Sequence, residues 1–262
     1  MKPFDLRLAG REALVCGSSS GLGKACASAL AMAGVRVTIN GRDEQRLLAA
    51  KVEIEGRSGE AVRAVVGDVT TQAGRADILQ ACPEPDILVN NAAGPPPGDF
   101  ESWGEAEWMA AVGANMIAPI QMIRATTPAM RRRGWGRVIN ITSGAVKAPL
   151  PLLGLSNGAR SGLTGFVAGI ARELAACGIT INNLLPGNFA TDRLRSYAAV
   201  LARRDGVSFE EAWRRLEQAN PAKRIGDPQE FGSICAFVCS EHAAYVNGQN
   251  LLIDGGAYPG VF

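Results

Sequence analysis

Short apolar runs alternate with stretches of helical period along nearly the whole chain, and this alternation limits the fold more than any other feature. The first instance is the clearest. Ala13-Leu14-Val15-Cys16 runs straight into Gly17-Ser18-Ser19-Ser20-Gly21-Leu22-Gly23-Lys24. Apolar or small residues then recur at Leu22, Ala25, Cys26, Ala29, Leu30 and Ala33, which is helical spacing. The order is strand, glycine-rich turn, helix. Glycines permit the tight turn and let backbone N–H groups of the turn, Ser19, Ser20 and Leu22 included, approach a phosphate. The helix N-terminus then presents its partial positive charge to the anion.

The same unit repeats. Val35-Arg36-Val37-Thr38-Ile39-Asn40 reads as a strand, with Gly41-Arg42-Asp43 at its C-terminal end and a helix over about 43–57. Ala61 to Gly67 is a third strand, ending in Asp68-Val69, and Asp86 to Asn90 a fourth. Regular β-α alternation argues for a doubly wound α/β fold with a parallel sheet and ligands at the strand C-termini. In a dinucleotide site, the end of the second strand meets the adenosine ribose. An acid there would favour NAD, whereas Arg42 suits a 2′-phosphate and so favours NADP(H) over NAD(H). Gly94-Pro95-Pro96-Pro97-Gly98 fits neither a helix nor a central strand and reads as a stiff wall at the same rim.

Composition narrows the function classes. A net charge of +2 and a pI near 8.3 give no nucleic-acid or membrane surface. Arg131-Arg132-Arg133 falls where a helix ends and its cations offset the helix dipole. The cysteines at 16, 26, 82, 177, 235 and 239 contain no CxxC and fit a reducing compartment. Met1-Lys2-Pro3-Phe4-Asp5-Leu6 is not like a signal peptide, so a cytoplasmic protein is expected. Cys235, Cys239 and His242 fall on or beside an apolar helix face, so no metal is expected. His242 is the only histidine, which excludes a Ser-His-Asp triad within the chain.

Taken together, the landmarks Gly17-xxx-Gly21-x-Gly23, Asp68-Val69, Asn90-Asn91-Ala92, Asn115, Ser143, Pro186-Gly187 and Asp254-Gly255-Gly256 resemble the short-chain dehydrogenase/reductase family over roughly residues 8 to 258. The resemblance implies a single Rossmann-type domain over 1–262 with a seven-stranded parallel sheet, a nicotinamide cofactor and a homotetramer or homodimer. It implies that Gly17, Ser19, Ser20, Gly21, Leu22 and Gly23 hold the pyrophosphate. Arg42 selects NADP(H), Asp68 and Val69 touch adenine, Asn91 and Ala92 lie along the cofactor, and Pro186, Gly187 and Thr191 flank the nicotinamide. Ala93 stands where the family has glycine. Asn115 falls inside a helix expected over 105–133, where the family uses it to support a kink beside the active site.

The pattern breaks at one place. Ser143 matches the family's catalytic serine, but the family's Tyr-xxx-Lys pair falls on Ser156 and Arg160. Serine is a much poorer acid than a phenol with its pKa near ~10, and arginine stays charged and relays no proton. The expectation is polarisation: Ser143, Ser156 and Arg160, directly or through water, stabilise an oxyanion. Lys147, on the intervening loop, is the remaining candidate acid if burial lowers its pKa, or else a solvent-facing lysine. Tyr197, Tyr245 and Tyr258 do not align with the missing position.

Gly158, Gly162, Gly165 and Gly169 mark a small-residue face on helix 155–177, where an oligomer contact is expected. Residues 191–224 resemble the family's substrate lid. Arg193, Arg195, Arg203 and Arg204 there read as a solvated face, with an acidic substrate as the alternative. The expected function is NADP(H)-dependent interconversion of a small-molecule alcohol and carbonyl. The alternatives are a dehydratase, isomerase or lyase on this fold, or a catalytically silent nucleotide-binding protein.

Overall fold

The computed structural model describes residues 5–261, so the first four residues of the N-terminal segment lie outside the described residues. Seven parallel strands form one sheet in the order β3-β2-β1-β4-β5-β6-β7. They are β1 (Glu12–Val15), β2 (Arg36–Gly41), β3 (Val62–Val66), β4 (Ile87–Asn90), β5 (Gly136–Ile141), β6 (Ile179–Pro186) and β7 (Asn250–Ile253). The order reverses between β1 and β4, which opens a crevice at the strand C-termini.

Helices cover both faces: α1 (Gly21–Met32), α2 (Glu44–Ser58), α3 (Gln72–Ala81), α4 (Glu105–Val112), α5 (Ala118–Arg133), α6 (Gly154–Ala175), α7 (Asp192–Asp205), α8 (Phe209–Ala219) and α9 (Pro228–Cys239). Strand residues alternate between two cores because successive side chains point to opposite faces. In β1, Ala13 and Val15 join one core with Leu30, Leu47 and Phe231, while Leu14 joins the other with Met122, Leu163 and Val167. Fully burying Phe231 contributes roughly 1.5–3 kcal/mol. The helices α1 and α9 lie close because Gly232 has no side chain: a Cβ there would collide with the Ala25 carbonyl.

A ladder of amides ties four strands together. Asn90 Nδ2 donates to Asn140 Oδ1 at 2.9 Å, Asn140 Nδ2 to Asn183 Oδ1 at 3.0 Å, and Asn183 Nδ2 to Asn250 Oδ1 at 2.8 Å. The four residues sit directly opposite one another in the strand register. The amides bond one another in series, with Asn90 Oδ1 left unpartnered among the described residues, so the ladder sets register at the end of the sheet beneath the crevice.

The helix expected over 105–133 is interrupted by a π-helical turn, Gly113–Ile117, with buried Asn115 at its centre. The widened bond runs from Ala118 N to the Gly113 carbonyl, and Pro119 just after it has no N–H to offer the Asn115 carbonyl. The glycine face of α6 is also divided. Cβ atoms at Gly158 and Gly162 would meet Trp108 and Met116, so these two glycines serve packing within the chain. Gly165 and Gly169 are exposed with open space before them. Arg131, Arg132 and Arg133 end α5 in ion pairs with Glu173, Glu84 and Asp86. Among the described residues, no helix is long and apolar enough to cross a membrane.

Candidate active site

A cleft of about 810 Å³ runs across the strand C-termini. At one end the turn after β1 enters α1. Gly17 and Gly21 both have φ of +56°, a left-handed conformation that favours glycine. A Cβ at Gly23 would strike the Gly17 carbonyl, so Gly23 is needed for close strand–helix packing and does not line the cleft. Gly17, Ser19, Ser20, Gly21 and Leu22 do line it. The α1 N-cap, Ser20, makes no side-chain capping bond, unlike Asp43, Thr71, Thr191, Ser208 and Asp227 at the starts of α2, α3, α7, α8 and α9. The first-turn N–H groups of α1 therefore remain available at the cleft wall, which suits a pyrophosphate.

The next wall is cationic. Arg42 and Arg46 line the cleft beside Gly41 and Asp43. Arg42 Nη1 is 3.7 Å from Asp68 Oδ2, and Arg46 Nη2 is 2.9 Å from Asp192 Oδ2. Burial pulls the Asp68 carboxyl upward, but hydrogen bonds from Thr70 and the Arg42 charge outweigh it and hold the group below its ordinary value. Val69, Asn91, Ala92, Pro186, Gly187 and Thr191 complete this part. Asn91 Nδ2 donates to the Gly17 carbonyl at 2.7 Å and so braces the turn. Glycine turn, uncapped helix and paired arginines together fit a phosphorylated nicotinamide dinucleotide.

The far end holds Ser143, Ser156 and Arg160. Ser143 follows β5, and its Oγ accepts from Ala145 N at 3.1 Å. Ser156 and Arg160 lie four residues apart on α6 and so share a face. Arg160 Nε donates to Ser156 Oγ at 3.1 Å and Nη1 to the Ile141 carbonyl at 2.8 Å. Burial, with the Arg193 charge, pushes the Arg160 guanidinium down to about 10, so it is still a cation at neutral pH. Ser143, Ser156 and Arg160 all line the cleft.

The family model described as enoyl-(acyl carrier protein) reductase matches residues 17–258. The chain belongs to the NAD(P)-dependent short-chain dehydrogenase/reductase family. It is 31% identical over 252 residues to the NADPH-dependent reductase BacG of Bacillus subtilis, covering 94% of this chain and 97% of that one. It is 32% identical to the 3-oxoacyl-[acyl-carrier-protein] reductase FabG of Vibrio harveyi, covering 97% and 99%. Among solved structures, L-sorbose reductase from Gluconobacter frateurii, in complex with NADPH and L-sorbose, aligns at a TM-score of 0.92. It is 27% identical and covers 98% of this chain and 100% of that one.

In this dehydrogenase/reductase, two further expected site residues, besides Gly23, do not reach the cleft wall. Asn115 sits behind it, with its neighbour Ala114 at the surface. Asn115 Nδ2 donates to the Ala111 carbonyl at 3.3 Å and to the Ala93 carbonyl at 3.5 Å, and its buried Oδ1 has no donor among the described residues. Lys147 is also absent from the wall, its Nζ lying 5.8 Å from the Tyr258 ring centroid. Among the lining residues that the family pattern did not give are Arg46, Arg193, Tyr197 and Tyr258. The signal for Tyr258 was its place just past β7, at the sheet edge where ligands bind. Arg193 was read with Arg195, Arg203 and Arg204 as a solvated face, with an acidic substrate as the alternative, and Tyr197 carried no signal. Cys235 and Cys239 are buried in the core.

Proposed function

We propose that this enzyme is an NADP(H)-dependent oxidoreductase that interconverts a small-molecule alcohol and its carbonyl, with a hydroxyl backed by a guanidinium in place of the family's phenol. The observation that carries this reading is the bond from Arg160 Nε to Ser156 Oγ. Accepting that bond leaves the Ser156 O–H to donate into the cleft. Ser143 is similarly arranged, because its Oγ accepts from Ala145 N. Two hydroxyl donors and a fixed cation then face the substrate oxygen and stabilise negative charge that develops on it. When bound, the nicotinamide supplies or accepts the hydride. Arg160 keeps its proton, so the proton on the product alcohol comes through Ser156 from water in the open cleft. NADP(H) is favoured over NAD(H) by Arg42 and Arg46 and by the relatives whose names or structures carry NADPH.

The test is turnover of a carbonyl panel, followed by nicotinamide absorbance, in wild type, Ser156→Ala, Tyr197→Phe and Tyr258→Phe. Ser156→Ala should lower kcat by roughly 100-fold, as the loss of one oxyanion donor does, and the phenylalanine variants should remain near wild type. Loss of turnover in Tyr197→Phe or Tyr258→Phe with Ser156→Ala active would move the proton donor to a phenol. Tight NADPH binding with no carbonyl reduced would favour a dehydratase, isomerase or lyase.

A further inference from the structure

Two guanidinium groups converge at the substrate end of the cleft without an acidic partner. Arg160 is 8% exposed. Its Nε and Nη1 are committed to Ser156 and the Ile141 carbonyl. Its Nη2 reaches within 3.4 Å of the point where a Gly94 Cβ would stand. Arg193 Cζ and Nη2 lie 3.3 Å from that same point, and Arg193 Nη1 donates to the Gly94 carbonyl at 3.3 Å. A side chain at Gly94 would crowd both groups.

Neither arginine forms an ion pair among the described residues, whereas other arginines of the lid are engaged. Arg204 pairs with Asp205, Arg214 and Arg215 pair with Glu211, and Arg195 lies over the Trp213 ring. The carboxylates along the cleft are also taken. Asp192 pairs with Arg46, Asp68 with Arg42, and Asp254 accepts from the backbone of Gly256 and Tyr258. Two cations meeting at one point, one of them buried, repel each other and lack the counter-charge that a buried ion needs. An anion entering the cleft supplies it, and two planar guanidinium forks match a carboxylate.

We infer that Arg160 and Arg193 bind a carboxylate of the substrate, which makes the substrate a short oxo or hydroxy acid. The inference rests on the redox reading above. The acid must be short because the same Arg160 side chain that reaches the Gly94 point also holds Ser156. The cofactor's phosphates have their own donors at the uncapped α1 N-terminus and at Arg42.

The test uses malonate as a non-reacting carboxylate and malonamide as its uncharged counterpart. Each is titrated by calorimetry into the free protein and its NADPH complex, for wild type, Arg193→Met and Arg193→Lys. Arg193 lies on the exposed lid, so these variants should fold. Wild type should bind malonate about 10-fold or more tighter than malonamide in the NADPH complex. Arg193→Met should lose that preference and Arg193→Lys keep part of it. In turnover, Arg193→Met should raise KM for short oxo acids by about 10-fold or more and leave their methyl esters unchanged. Equal binding of the two probes by wild type would overturn the inference. So would an Arg193→Met variant that weakens NADPH and not malonate, since the pair would then serve a cofactor phosphate. Failure to bind NADPH, with malonate still preferred, would sink the redox reading and leave the carboxylate site standing.

Discussion

Arg42→Ala tests the cofactor end of the cleft most directly. The Arg42 side chain is 68% exposed, and its nearest charged partner, Asp68 Oδ2, is 3.7 Å away. The guanidinium is thus free to turn onto a 2′-phosphate with little lost from the Asp68 contact, because exposed pairs contribute at most about 1 kcal/mol. A hydrogen bond to a charged group contributes about 1.5–3 kcal/mol, or roughly 10- to 150-fold in Kd. Solvent exposure places the expected loss of NADPH affinity toward the lower end. Arg46, engaged by Asp192 at 2.9 Å, is the only other lining arginine beside Asp43 and leaves some residual affinity. NADH has no 2′-phosphate, so its Kd should stay the same. The assay is fluorescence titration of wild type and Arg42→Ala with both nucleotides. An NADPH Kd within about twofold of wild type, well below a single charged bond, would refute the assignment. Equal weakening for NADH would also refute it, because the effect would then lie in the adenosine pocket and not in the phosphate.

Asn140→Ala should destabilise the fold by about 2–5 kcal/mol, because it strands the buried amide groups of Asn90 and Asn183; urea unfolding measures this, and a change under about 1 kcal/mol would mean that the ladder relaxes around the gap. Glu230 has its carboxyl held down to about 2, chiefly by Arg224, from an ordinary 4.5. A depressed carboxyl stabilises the fold above its unfolded pKa and loses that contribution as the pH falls through its folded pKa. The stability gap between wild type and Glu230→Gln should therefore be constant above pH 4.5 and close between 4.5 and about 2; a gap that persists at the acid end would contradict this. A thiol reagent should label Cys177 first in the native protein, since the other five cysteines are buried and burial pushes Cys16 up to about 12 and Cys82 to about 11. Fast labelling at a second site, read by peptide mass, would count against that core. Gly165→Arg should reduce the solution mass found by light scattering if the open glycine positions of α6 form a subunit contact, and an unchanged mass would place the contact elsewhere.

Much of the cleft could be read before the fold was known. Gly17, Gly21 and Gly23 follow an apolar run and open a helical period, and turn chemistry of that kind acts over a few residues. Ser156 and Arg160 were also placed at one site from the sequence, and both line the cleft. A kink at Asn115 was expected from the resemblance, but its form as a π-helical turn was not, because whether a helix kinks or widens depends on what packs against it.

The parallel sheet with helices on both faces follows from period and composition, whereas strand order and register pair residues as distant as Leu14 and Leu88 and came only with the fold. The tertiary structure alone decided what meets in the cleft. It set Lys147 outside the wall and brought Tyr197 and Tyr258 into it. It set Arg193, though exposed on its helix, against Gly94, where it faces Arg160. Gly94, Arg160 and Arg193 are far apart in the chain, and nothing in the segments of Gly94 and Arg193 points to their meeting. Their shared meaning is an unbalanced charge at one point, and such a charge exists only after distant segments have packed together.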